Sequence, residues 1–209
     1  WRADGGVLST SRGELRAETI VLAVGHDLDR LAPDTAEEAG LRRCTLHMLR
    51  AVPSDGCTIV PALASGLALL RYRGFAGAPS LTALRNRLER ERPELLAEGV
   101  NLLVTQRPDG DLVVGDTHHY AHTPPPFRDE RLDELLLDEA ARLIGVERLA
   151  VRERWQGVYA YAADREFLIA APALGVRAVA VTTGIGMTTA FGLAAHALDA
   201  SFDETSVTF

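Results

Sequence analysis

Apolar residues along this chain switch between the strict alternation of strands and the longer period of helices, and each switch marks an element boundary. Residues 7–24, VLSTSRGELRAETIVLAV, carry three short strand patterns: Val7 to Thr10, Glu14 to Arg16 after a turn at Arg12-Gly13, and Thr19 to Val24. A helical pattern follows from Leu28 to Leu41, broken at Pro33. Strands are expected at Arg43 to Val52 and Leu67 to Tyr72, and Ser80 is placed to cap a helix with Leu81, Leu84 and Leu88 on one face. Val100 to Gln106 and Leu112 to Thr117, joined by Pro108-Asp109-Gly110-Asp111, give the clearest hairpin pattern. A polar, proline-rich loop runs from His118 to Phe127. Residues 128–145 then read as a helix with acids in its first turn and Gly145 as its stop. Strands are expected again at Arg152 to Ala162 and Phe167 to Ala170.

The stretch Val176 to Ala197 joins both periods. Val176, Ala178, Val179, Ala180 and Val181 have the composition of a strand buried on both faces. Ala190, Phe191, Leu193, Ala194 and Ala197 recur at helical spacing. Thr182, Thr183, Gly184, Ile185 and Gly186 lie between, so a buried strand turns directly into a helix. A helix start leaves backbone N–H groups unpaired and partly positive, and glycine lets a ligand approach them, so the junction suits a phosphate or an electron-rich ring. A turn that needs glycine for geometry alone gives the same sequence. Val24-Gly25-His26, also a strand end before a helical segment, repeats the pattern. The mixture of strands, helices and long strands points to an α+β or mixed α/β fold, with no internal repeat.

Composition removes several function classes. All 22 basic residues are arginine, so no lysine is present to form a Schiff base with pyridoxal phosphate or to serve a P-loop. A net charge of −7 with both signs interspersed argues against nucleic acid as a partner. No apolar run has the length of a membrane span and no signal peptide pattern opens the chain, so a cytoplasmic protein with no membrane partner is expected. Cys44 and Cys57 lack metal or redox spacing. The chain starts at Trp1 and enters strand-like sequence within a few residues, which reads as a piece of a longer polypeptide. His118, His119 and His122 with Asp116 have the residue types of a metal site, but neighbours on an extended chain face opposite ways, so a loop with one inward histidine and no metal is expected. Tyr120, Tyr159 and Tyr161 suit a pocket lining or a core edge equally. No nucleophilic triad or paired-carboxylate site is legible, and the catalytic residues are left unassigned.

Four segments together carry a family resemblance: ETIVLAVGHD at 18–27, DGDLVVGDTHHY at 109–120, RWQGVYAYAADREFLIAAP at 154–172 and VAVTTGIGMTTAFGLA at 179–194. In this order they resemble the FAD-dependent oxidoreductases of the D-amino acid oxidase class, which includes glycine and sarcosine oxidases, and within it a branch associated with phosphonate catabolism. The resemblance spans essentially the whole chain. It implies the C-terminal part of a two-domain fold, with residues 1–30 and 155–209 in an FAD domain and 31–154 forming a substrate domain with a large mixed sheet. The family's N-terminal strand, G-x-G-x-x-G turn and helix are missing, so the N-terminal half of the same protein is an implied partner.

By the same resemblance, Val24, Gly25, Gly184, Ile185, Gly186, Met187 and Thr188 are the expected FAD-binding residues, and His118, Tyr120 and Tyr159 the expected substrate-binding ones. The implied reaction is oxidation of the C–N bond of a small amine, amino acid or aminophosphonate by hydride transfer to flavin. Where glycine oxidases read W-x-G-L-R-P, with an arginine that clamps the substrate carboxylate, this chain reads Trp155-Gln156-Gly157-Val158-Tyr159-Ala160. Tyrosine offers one neutral donor in place of a charged fork, so an ordinary α-amino acid substrate is disfavoured. Arg71, Arg73, Arg154 and Arg165 are alternative anion holders. The competing expectation is a non-catalytic binding module or subunit that folds without flavin.

Overall fold

The computed structural model describes residues 2–4, 6–54 and 56–199. In chain order its elements are β1 (Arg2–Asp4), β2 (Val7–Thr10), β3 (Gly13–Arg16), β4 (Ile20–Leu22), a 3-10 turn at Gly25–Asp27, α1 (Leu28–Leu31), α2 (Pro33–Glu38), β5 (Arg42–Pro53) and β6 (Leu63–Ala64). There follow α3 (Gly66–Arg71), a 3-10 turn at Arg73–Phe75, α4 (Leu81–Glu91), α5 (Pro93–Ala97), β7 (Leu103–Gln106), β8 (Leu112–Gly115) and β9 (His119–Ala121). The chain closes with α6 (Glu130–Ile144), β10 (Leu149–Tyr161), β11 (Phe167–Ala173), β12 (Val176–Val181) and α7 (Gly186–Asp199).

Two compact units divide these elements. The first comprises the described residues up to Cys44, then Tyr120–Pro124, then the described residues from Val158 onward; the second comprises the described residues of 45–119 and 125–157. The chain changes unit within β5, β9 and β10 and between Pro124 and Pro125.

In the first unit β11 pairs antiparallel with β12, and β12 pairs parallel with β4 in the register Val176 to Ile20, Arg177 to Val21 and Ala178 to Leu22. Ile20, Leu22, Leu28, Leu168, Val176 and Ala178 form the core of this sheet and its helices. Parallel strands covered on both faces read as continuous small and β-branched runs, which explains why Val176 to Val181 lacks alternation. Buried Arg177 donates to the Ala197 carbonyl, placing a cation against the last turn of α7 and tying that helix to β12. A separate antiparallel sheet joins β1, β2 and β3.

The second unit is built on a sheet ordered β10-β5-β8-β7-β6, with β9 beside β5. The β5–β8, β7–β8 and β6–β7 pairings are antiparallel. Leu49, Leu102, Val104, Leu112, Val114 and Leu136 make its core. The hairpin forms as expected, with Gln106 opposite Leu112. α6 starts where the Asp129 side chain accepts the Arg131 N–H and ends at Gly145, whose φ of 75° is the left-handed stop.

Three sequence expectations change. Residues 67–72 were expected as a strand, and Gly66–Arg71 is a helix. Its leucines and alanines are helix formers without β-branching, and a short apolar run does not distinguish the two periods. Ser80 precedes α4 but stays in helical conformation and its side chain makes no cap bond. The loop expected from His118 to Phe127 contains the short strand β9.

Candidate functional site

Because β4 and β12 run parallel side by side, both end on the same side of their sheet, and a glycine turn follows each. Open α/β sheets bind ligands outside the carboxyl ends of their strands. After β4, the Val24 carbonyl accepts the Asp27 N–H at 3.2 Å, and Gly25 turns the chain at φ 57° with nothing within 4 Å of where a Cβ would stand. The turn packs against β12. Its backbone is therefore open to a ligand on the side a side chain would otherwise cover.

After β12, Thr182 fixes the strand end. It is fully buried; its hydroxyl donates to the Arg165 carbonyl at 2.7 Å, its N–H donates to Glu166 at 2.9 Å, and its carbonyl accepts the Ala162 N–H at 3.0 Å. Gly184 then reverses the backbone at φ 79°. The Thr188 N–H returns to the Ile185 carbonyl at 3.1 Å, and the Thr189 hydroxyl reaches the same carbonyl at 3.0 Å. Among the described residues, the N–H groups of Gly184, Ile185, Gly186 and Met187 meet no backbone carbonyl. These four donors precede and open a helix of 14 residues, so its dipole adds to them. The Met187 side chain is 98% exposed, which leaves its backbone as its contribution to the turn. The buried Thr183 hydroxyl likewise has no partner among the described residues.

Tyr159 comes directly over this turn. A Cβ on Gly184 would stand 3.0 Å from the Tyr159 ring carbon Cζ and 3.3 Å from its hydroxyl. The first unit thus brings together a residue expected to bind cofactor and one expected to bind substrate. Tyr120 pairs with Tyr161, ring centroids 4.0 Å apart. Sequence spacing gave no sign of either meeting.

His118 belongs to the second unit, buried in a polar cluster with Asp116 and Asn101. Its Nδ1 bonds the Gly99 carbonyl at 3.0 Å, and burial together with the charge of Arg71 holds the imidazole down to about 3, so it is a neutral ring already donating to the backbone. Asp116, 3.5 Å from His118, has its carboxyl pushed up to about 7, chiefly by burial and against the pull of Arg71. The folded protein therefore keeps a proton on Asp116 that the unfolded chain releases near pH 4, and stability is lost as pH rises from about 4 to about 7. Asp116→Asn is expected to stabilise the protein at pH 8 by on the order of 3 kcal/mol and to have little effect at pH 4, as read by urea unfolding at the two pH values.

His122 is exposed, and the buried Nε2 of His119 has no hydrogen bond partner among the described residues. No three His, Cys, Asp or Glu side chains converge among the described residues as a metal site requires. Of the alternative anion holders, Arg154 is engaged by Asp133 at 3.0 Å and by Glu130, and Arg165 by Asp164 at 2.9 Å. The sequence reading missed the centre of the Arg154 group. Asp133 is fully buried on α6 and accepts from Arg128, Arg154 and the His47 ring, the last at 2.8 Å. Its only sequence sign is an acid on the apolar face of a helix.

The two glycine turns fit a group with an anionic linker and an electron-rich ring: an open left-handed glycine, unmet N–H donors at a helix start and one orphaned hydroxyl lie at adjacent strand ends. The sequence model described as FAD dependent oxidoreductase matches residues 1–200. No curated protein sequence matches the chain significantly. Among solved structures, the chain is similar to glycine oxidase from Bacillus cereus ATCC 14579, with TM-score 0.61 and 12% identity over 95% of this chain and 47% of that one. It is also similar to glycine oxidase from Geobacillus kaustophilus, TM-score 0.60 and 17% identity over 99% and 50% of the two chains. L-amino acid deaminase from Proteus vulgaris gives 0.57 and 14% over 98% and 44%. The chain spans about half the length of these structures. No helix among the described residues is long and apolar enough to cross a membrane.

Proposed function

Because the chain belongs to the family of FAD-dependent oxidoreductases, we propose that its two glycine turns hold FAD and that the whole protein oxidises the C–N bond of a small amine, with an aminophosphonate as the favoured substrate class. The observation that carries this reading is the parallel pairing of β4 with β12, which sets the Gly25 and Gly184 turns at neighbouring strand ends. Val24 and Gly25 would meet the pyrophosphate, and the backbone N–H groups of Gly184, Ile185, Gly186 and Met187 the ring, while Thr188, whose N–H is taken by Ile185, holds the turn behind them. The chemistry that FAD supplies is acceptance of a hydride from the carbon beside the amine nitrogen. The chain's part is to present fixed N–H dipoles where negative charge grows, since donors already in place need no reorganisation.

Tyr159 closes over the Gly184 turn and presents one neutral hydroxyl. His118, neutral and already bonded to Gly99, adds no positive charge toward a substrate, and Tyr120 offers a half-exposed phenol. At the position of the motif's arginine a carboxylate therefore meets one neutral hydroxyl in place of a bidentate partner, so that position does not select an α-amino acid, and an anionic group of the substrate would draw on Arg71, whose charge already acts on His118. The adenosine end of FAD is assigned to polypeptide outside these 209 residues. In support, Met187, Phe191 and Leu198, which are 98%, 89% and 61% exposed, lie on one face of α7, and an apolar helix face of this kind is stable when covered.

The test is anaerobic flavin bleaching by glycine, sarcosine, an aminoalkylphosphonate and a plain alkylamine. The aminophosphonate is expected to bleach fastest, and Tyr159→Arg to raise the rate with glycine by roughly tenfold or more, the worth of one charged hydrogen bond pair. Fastest bleaching by glycine in the parent protein would remove the phosphonate reading, and a purified protein free of flavin would favour a non-catalytic scaffold.

A further inference from the structure

Resting on the assignment of the Gly25 turn to FAD, we infer that Arg43 is a positioning residue that clamps this turn and offsets the charge of the acids that flank it. β4 ends at Leu22, and the next seven residues carry Asp27 and Asp29, two carboxylates close behind an expected pyrophosphate contact. Left uncompensated, they would repel a dianionic linker. Arg43, at the start of β5 and 16% exposed, reaches back to both: its Nε donates to Asp29 Oδ2 at 2.7 Å, and its terminal nitrogen to Asp29 Oδ1 at 2.7 Å and Asp27 Oδ1 at 3.1 Å. The two bonds to Asp29 form a fork, which fixes direction as well as distance.

The other groups near these acids are weaker partners. Arg30 stands 3.7 Å from Asp27 with 74% of its side chain in solvent, and His26 is 3.9 Å away. Asp29 depends chiefly on Arg43, whose hydrogen bond holds the carboxyl below its ordinary range. The clamp therefore does two separable things. It pins the segment after Gly25 against the start of β5, which leaves the open side of Gly25 facing a ligand. It also leaves the turn without the field of a bare carboxylate. Only the second depends on salt, because screening acts on the long-range repulsion and hardly on packing.

The test is FAD titration of the deflavinated whole protein by fluorescence at 20 mM and 500 mM salt, using the parent, Arg43→Met, Asp29→Asn and the double variant Asp29→Asn/Arg43→Met. Arg43→Met is expected to weaken FAD binding about tenfold at low salt and about threefold or less at high salt. Removing the Asp29 carboxylate in the double variant is expected to recover most of the loss, and Asp29→Asn alone, which leaves Arg43 balanced by Asp27, to bind FAD at low salt as tightly as the parent or tighter. An equal loss at both salts, or a double variant as weak as Arg43→Met, overturns the charge role. An Asp29→Asn variant weaker than the parent does the same even if Arg43→Met fails to fold. Absence of FAD uptake by the parent overturns the cofactor reading and the clamp together; normal uptake by Arg43→Met overturns the clamp alone.

Discussion

Gly184→Val is expected to lower flavin occupancy at least tenfold in the whole protein while leaving the second unit folded. Gly184 sits at φ 79°, a conformation that costs a residue with a Cβ about 1–2 kcal/mol. The added carbon would also stand 3.0 Å from the Tyr159 ring, so the turn or the ring must move, and with it the N–H groups of Gly184 and Ile185. Displacing one such donor from a developing charge costs about 3–4 kcal/mol of stabilisation. Gly186 provides the control: its φ is ordinary and a Cβ there would meet Val181 at 3.7 Å, a normal contact. Gly186→Ala should therefore keep its flavin. Absorbance of the purified variants and stopped-flow reduction of any bound flavin decide the matter, and equal behaviour of the two variants would make the Gly184 turn purely structural.

The second large effect falls on stability. Asp133→Ala removes a carboxylate with no exposed surface and leaves Arg128 and the His47 ring without it, while Arg154 keeps Glu130. Breaking a buried charge group by deleting one partner costs about 3–5 kcal/mol, because the largely buried Arg128 then stays desolvated without its carboxylate. Asp133→Asn, which keeps one acceptor oxygen, should cost about 1–3 kcal/mol. Urea unfolding followed by tryptophan fluorescence reads both, since Trp155 lies on β10 next to Arg154 and its carbonyl accepts from Arg128. A loss below 1 kcal/mol for Asp133→Ala would mean that water repairs the site.

What the sequence made legible follows from how local each determinant is. Pro108-Asp109-Gly110-Asp111 specifies its own hairpin, and Asp129 with Gly145 specifies both ends of α6, because turn and cap chemistry acts over a few residues. The Gly184 turn was legible for the same reason, as a buried strand that stops at glycine before a helix. Residues 67–72 failed because a short Leu and Ala run has no decisive period. The rest of the site depends on partners far apart in the chain. His47 meets Asp133 and Tyr159 meets Gly184 only after the sheets form, and no spacing rule links them. The Arg43 clamp is intermediate: an arginine after two acids is visible, but the fork depends on the bend that α1 and α2 impose between them.

The pairing of Ile20 with Val176 also sets an order of events during synthesis. β4 is made well before β12, with Ile20 and Leu22 needing cover until that parallel partner follows. The β7–β8 hairpin and α6 close over short loops and can form meanwhile, whereas a long-range parallel pairing must meet its loop-closure cost first. The sheet that carries both glycine turns is thus completed after that hairpin and helix. Until then its apolar strand edge is open to wrong partners.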